Sequence, residues 1–157
     1  MARVKLDKID RKILKNLQKD GRMSNVDLAK DVGISAPPCL RRVRALEDQG
    51  VINGYHANIN NRALGYGVTV FAHVKLENHS DKELKKFEEK IMQLDRVREC
   101  WMLTGDTDFL LKIVAKNWDD YQDFFNETLM AIDGVTGVRS SLSIRSSKEL
   151  PGVPIDD

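Results

Sequence analysis

The chain has 157 residues, 41% apolar and 31% charged, the composition of a folded protein of one large or two small domains. No run of about 18 apolar residues occurs, which excludes a membrane-spanning helix. Met1–Asp7 shows no apolar signal-peptide core, and Cys39 and Cys100 form no disulfide framework, so a cytoplasmic location is expected. The net charge of +1 conceals an asymmetry: residues 1–60 hold 12 Lys and Arg against 7 Asp and Glu, a net +5, and the remainder holds 13 against 17, a net −4. A basic first half favours phosphate.

Asp7 and Asp10 open a first expected helix carrying Ile9, Ile13, Leu14 and Leu17 at helical spacing, and Gly21 ends it. Ser24 with Asp27 is a variant capping box for a short second helix with Leu28, Ala29 and Val32 on one side, which stops at Gly33. A third helix follows Ile34 and Ser35. Pro37 and Pro38 are tolerated in a first turn, though they leave its start open. Leu40, Val43 and Leu46 make its expected buried stripe, Arg41, Arg42 and Arg44 fall off that stripe, and Gly50 closes it.

A short helix, a glycine turn and a longer helix, backed by a first helix, predict a helix-turn-helix whose third helix enters the major groove of double-stranded DNA by its N-terminal part. Arginine suits that place because its planar fork holds a phosphate or the O6/N7 edge of guanine. The expected DNA-facing set is Ser24, Asn25, Ser35, Ala36, Pro37, Pro38, Cys39, Arg41, Arg42 and Arg44. The competing explanation is a solvated arginine face, against which stand the glycine turn, the caps and the charge asymmetry.

Val51–Ala57 is expected to be a short strand leaving the helices, and Asn58–Gly65 a linker. Tyr66–Leu76 alternates as a strand, with Val68, Val70, Ala72 and Val74 against Thr69, His73 and Lys75. Ser80 with Glu83 opens a helix bearing Leu84, Phe87, Ile91 and Met92. Val97–Leu103 is a strand, Thr104–Asp108 a polar loop, and Phe109–Ala115 a buried return strand. Asn117 caps a helix bearing Tyr121, Phe124, Phe125, Leu129 and Ile132, which Gly134–Gly137 breaks, and Val138, Ser140, Leu142 and Ile144 alternate as a last strand.

The order βαββαβ predicts a ferredoxin-like domain. Its helices cover one sheet face, and the other, carrying Phe71 or Trp101 depending on register, predicts a homodimer. The expected class is thus α+β, a winged-type helix-turn-helix plus a ferredoxin-like sensing and dimerisation domain. The expected boundaries are 1–52 for the DNA-binding domain, 53–65 for a strand and linker, 66–148 for the second domain and 149–157 for a flexible tail.

These segments together resemble the leucine-responsive regulatory protein (Lrp)/AsnC family over nearly the whole chain. The resemblance rests on Ile9–Leu14, Ser24–Ala29, Val32–Ser35, Cys39–Ile52, Leu103–Leu111 and Gly134–Val135 followed by Ser140. It implies dimers that assemble into octamers or similar, an amino acid or related effector bound between dimers, and control of amino-acid metabolism genes by a nucleoid-associated regulator. By position it implies an effector site at Leu103, Thr104, Gly105, Asp106, Thr107 and Asp108, with Thr136, Ser140 and Ser141 nearby. An amino acid needs an acceptor for its ammonium, which Asp106 or Asp108 can supply, and donors for its carboxylate, which loop N–H groups around Gly105 can supply. Alternatively the aspartates only cap the turn.

His56, His73 and His79 show no metal-ligand spacing, and neither cysteine has a base nearby in sequence. No metal, cofactor or enzymatic activity is expected. Three functions compete: an amino-acid-responsive transcription regulator, an architectural DNA-binding protein without an effector, and a small metabolic enzyme, for which no acid/base pair or nucleophile is evident.

Overall fold

The computed structural model describes residues 4–156. Residues 1–3 and 157, at the ends of the expected DNA-binding domain and tail, lie outside the described residues. The chain divides into two compact units, one holding residues up to Asn58 and from Lys148 on, the other Ile59–Ser147.

In the first unit each helix begins where a side chain satisfies donors that an α-helix leaves open. Asp7 accepts the N–H groups of Ile9 and Asp10, both at 2.8 Å, and Asp10 accepts the Asp7 N–H at 3.0 Å, which starts α1, Lys8–Lys19. Ser24 Oγ accepts the Asp27 N–H at 3.2 Å and starts α2, Asn25–Val32. Gly33 ends α2 in the left-handed region at φ +81°, where a Cβ would be strained, and the Ile34 N–H returns to the Ala29 carbonyl at 3.0 Å. α3 runs Ala36–Asp48 with both prolines in its first turn. Ile13, Leu28, Ala29, Val32, Cys39 and Leu46 form the core between the three helices.

Two expectations for this unit need correction. Leu40 is not in the buried stripe: it is 39% exposed, and Cys39 is fully buried in its place. Cys39, Val43 and Leu46 stand at i, i+4 and i+7, the helical spacing that faces the core. The short strand expected over Val51–Ala57 is absent, and no strand forms before Val68 among the described residues. A strand needs a neighbour to take its backbone groups, and residues 53–58 are exposed to solvent instead. Beyond Ile52, Tyr55 ties the segment back, its hydroxyl donating to Glu47 at 2.9 Å while its ring lies against Gly21. Burial and the Glu47 carboxylate push the Tyr55 hydroxyl up to about 12. The tail expected to be flexible has no regular secondary structure, and it is held to α1 by Gln18 Nε2 donating to the Val153 carbonyl at 3.0 Å and Arg11 to that of Asp156 at 3.3 Å.

The second unit consists of β1 (Val68–Leu76), α4 (Asp81–Met92), β2 (Val97–Met102), β3 (Phe109–Ala115), α5 (Trp118–Phe124) and β4 (Val135–Leu142). A 3-10 turn at Asn61–Leu64 precedes β1. The strands form one antiparallel sheet in the order β2-β3-β1-β4, as the βαββαβ reading requires. Val70, Ala72, Val74 and Leu76 of β1 and Phe109, Leu111 and Ile113 of β3 face the helices and pack with Phe87, Ile91, Tyr121 and Phe124. The Phe87 and Phe109 rings meet at 4.7 Å between centroids.

Register places both Phe71 and Trp101 on the opposite sheet face. Glu99, Lys112, Phe71 and Ser141 lie in one row across it, and Trp101, Leu110, His73 and Arg139 in the next. Trp101 is 56% exposed there.

The helix expected to run through Leu129 changes geometry. After Phe124 it continues as a π-helical turn, Phe125–Leu129, closed by the Met130 N–H on the Phe125 carbonyl at 2.9 Å. The wider turn brings residues five apart onto one face, so Phe124 and Leu129 both reach the core. The last strand begins earlier than expected. Only Gly134, at φ +83°, makes the turn. Val135 already pairs with Leu76 and Gly137 with Lys75, and Thr136 between them is the extra residue of a bulge that shifts the register at Lys75/Leu76.

Candidate nucleic-acid interface and effector loop

The first unit has the parts of a helix-turn-helix reader in the required order. Asn25 Nδ2 donates to the Ala36 carbonyl at 2.9 Å and ties the start of α2 to the start of α3. Ser35 caps α3 by backbone only; its hydroxyl makes no capping bond. Ser24, Ser35, Pro37, Arg41 and Arg44 are exposed, and Ala36 and Pro38 are half-buried at the same helix end. Neither Arg41 nor Arg44 takes part in an ion pair among the described residues.

Two members of the expected DNA-facing set are placed otherwise. Cys39 points into the core, where burial pushes its thiol pKa up. Arg42 faces α1: its NH1 lies 2.7 Å from Asp7 Oδ2 and 2.7 Å from Asp10 Oδ1. The guanidinium therefore bridges α3 to the acidic cap of α1. The Asp7 carboxyl is held below its ordinary range, first by accepting the Asp10 N–H and then by Arg42. A carboxyl lowered by folding stabilises the fold above its unfolded value, and that stability is lost as pH falls through the folded one. Arg42→Ala is thus expected to lower the unfolding midpoint modestly at neutral pH, and the gap should narrow in acid as the carboxylates that hold the guanidinium are protonated. Melting curves of both proteins from neutral pH downward check this; a gap that stays constant into acid contradicts it.

In the second unit the β2–β3 loop, residues 103–108, meets the end of β1. The Leu103 N–H donates to the Asp108 carbonyl at 2.8 Å and closes the loop, and the Asp108 N–H donates to the Val74 carbonyl at 3.0 Å. Asp108 Oδ2 accepts the Leu76 N–H at 2.7 Å, and its Oδ1 lies 2.9 Å from His79 Nε2. Both carboxylate oxygens are therefore used by the chain itself. Thr104, Gly105 and Asp106 are exposed at the loop tip, with Gly105 at φ +116°, a conformation open to glycine alone.

Thr136 joins this end of the sheet, its hydroxyl donating to the Lys75 carbonyl at 3.2 Å. The two serines do not join it. Ser140 pairs with Ala72 on the helix-covered face and bonds the Tyr121 hydroxyl, whereas Ser141 pairs with Phe71 on the open face. A shallow cleft of about 250 Å³ near the same end is lined by Leu76, Glu77, Asn78, Glu83, Asp133 and Gly134, none of them an expected effector residue. Among the described residues no group of three His, Cys, Asp or Glu is arranged to hold a metal ion, and no helix is long and apolar enough to cross a membrane.

Comparison with known proteins fits both units. Residues 6–53 match the winged helix-turn-helix DNA-binding family, and residues 69–153 match the Lrp/AsnC ligand binding domain. The leucine-responsive regulatory protein of Rhizobium meliloti is 52% identical over 99% of both chains. The bkd operon transcriptional regulator of Pseudomonas aeruginosa is 43% identical over 90% of this chain and 92% of its own. Among solved structures, a Neisseria meningitidis transcriptional regulator in complex with L-Met superposes with a TM-score of 0.92 at 33% identity, covering 97% of this chain and 98% of that one. Escherichia coli AsnC superposes with a TM-score of 0.84 at 25% identity, covering 93% and 97%. The chain belongs to the Lrp/AsnC family of DNA-binding transcription regulators.

Proposed function

We propose that this regulator binds an amino acid through its second unit, reads DNA through α3, and couples the two to control genes of amino-acid metabolism. The observation that carries the effector half is the match of residues 69–153 to a ligand binding domain, together with a close structural neighbour solved with L-Met. The exposed Asp106 carboxylate accepts the effector ammonium, backbone N–H groups of the Thr104–Asp106 tip meet its carboxylate, and exposed Leu103 offers apolar surface to its side chain. Asp108 holds the loop against β1, and Thr136 ties β4 to the same end of that strand. On the DNA side, Arg41 and Arg44 make the charged contacts, Ser24, Ser35 and Pro37 lie against the duplex, and Arg42 with Asn25 positions the helices. The open sheet face carrying Phe71 and Trp101 pairs with a second copy, and dimers assemble further into octamers or a similar particle.

One observation favours the second reading, an architectural DNA-binding protein without an effector: each oxygen of Asp108 already has a partner within the chain, the Leu76 N–H on Oδ2 and His79 beside Oδ1. Thermal unfolding against each of the twenty amino acids at millimolar concentration separates the two. A ligand at about 100 times its dissociation constant adds roughly 2.7 kcal/mol of apparent stability. One or a few clear upward shifts support the sensor; no shift with any of them favours the architectural reading.

A further inference from the structure

Pro37, Leu40, Arg41 and Arg44 stand at i, i+3, i+4 and i+7 along α3 and make one exposed stripe, while Cys39, Val43 and Leu46 face the core. Leu40 belongs to this outer stripe with 39% of its surface exposed. That part of its apolar surface stays in water in the free protein and is available to a partner. Its neighbours sharpen the point. Pro37 and Pro38 remove two N–H donors from the first turn of α3, the part of a recognition helix nearest the base edges. That end of the helix offers the groove carbon surface, and the guanidinium groups follow at Arg41 and Arg44. In the major groove the apolar group on a base edge is the C5-methyl of thymine.

We infer that Leu40 is a specificity-determining residue that packs against the 5-methyl group of a thymine in the target site, with Arg41 and Arg44 holding phosphate or guanine beside it. The inference rests on α3 being the DNA-reading helix. It makes the helix bipartite: its apolar N-terminal part selects thymine, and its basic middle supplies affinity.

The test is selection from a random duplex library by the full-length wild type, by Leu40→Ala and by Leu40→Gln. The wild type is expected to recover a motif containing a fixed thymine, and both variants to lose the preference at that position while keeping the rest of the motif. The recovered duplex is then made with deoxyuridine at that position, which deletes only the methyl group. Wild-type affinity should fall about fourfold, the worth of one buried methyl-sized group, and Leu40→Ala should bind both duplexes equally. Because Leu40 lies outside the core of the three helices, both variants should unfold close to the wild-type temperature, and the glutamine variant keeps the side chain's length if alanine disturbs the helix. A variant motif identical to the wild type's, or equal wild-type affinity for the thymine and uracil duplexes, overturns the role of Leu40 and leaves α3 as the reading helix. A wild type that binds DNA but recovers no motif overturns both.

Discussion

Replacing Arg41 and Arg44 together by alanine is expected to lower affinity for a target duplex about 100-fold at physiological salt, since each well-placed arginine contributes about 1–3 kcal/mol. Both side chains are exposed and outside the ion pairs of the described residues, so the double variant should unfold at the wild-type temperature. The salt dependence then tells what the arginines touch. If both meet phosphates, the slope of log affinity against log salt should fall in magnitude by about 2 for each α3 on the duplex, about 4 for a dimer. If they meet base edges, the slope should hold while discrimination between target and random duplex collapses. Fluorescence anisotropy titrations over a range of salt give both quantities, and a double variant that binds like wild type would remove α3 from the interface. Arg42→Ala should differ in kind, costing stability more than affinity, because its guanidinium is committed to Asp7 and Asp10.

Asp108→Ala carries the second large effect. Asp108 Oδ2 is the acceptor for the half-buried Leu76 N–H, so alanine leaves that donor unsatisfied at a cost of about 1–3 kcal/mol to the second unit. The His79 contact adds little, since His79 is 61% exposed. Asp108→Asn keeps an acceptor for Leu76 and should stay near wild-type stability. Urea unfolding of the three proteins checks the order, and an alanine variant as stable as wild type contradicts it. The same pair separates two roles in sensing. If Asp108 only holds the loop, asparagine preserves the response to the amino acid and alanine blunts it; if its charge holds the ammonium, both variants lose it.

What the sequence made legible follows physical range. The caps at Asp7, Ser24, Ser80 and Asn117 were readable because each bonds a backbone N–H two or three residues away. The order βαββαβ of the second unit is readable from strand alternation and helix caps, and it implies the ferredoxin-like sheet. What escaped was set by packing or by a partner. Leu40 and Cys39 are adjacent and both apolar, and only the full spacing of Cys39, Val43 and Leu46 decides which one turns inward. Val51–Ala57 has the residues of a strand without a neighbour to pair with in the described chain. The bridge from Arg42 to Asp7 and Asp10 spans more than thirty residues, beyond any local pattern. Ser140 and Ser141 looked equivalent in a run, yet strand geometry sends adjacent side chains to opposite faces.

The central claim is that one chain couples an amino acid to DNA, and DNA affinity measured with and without each amino acid tests it most directly. A duplex selected by the wild type is titrated with protein alone and then with each of the twenty amino acids at millimolar concentration. At least one amino acid is expected to shift the apparent dissociation constant by about 5- to 150-fold, the usual span of coupling between two sites, and the shift should disappear when Asp106 is replaced by alanine. Equal DNA affinity with all twenty, in a protein that still binds the duplex, would contradict the account and leave a DNA-binding protein that senses none of them.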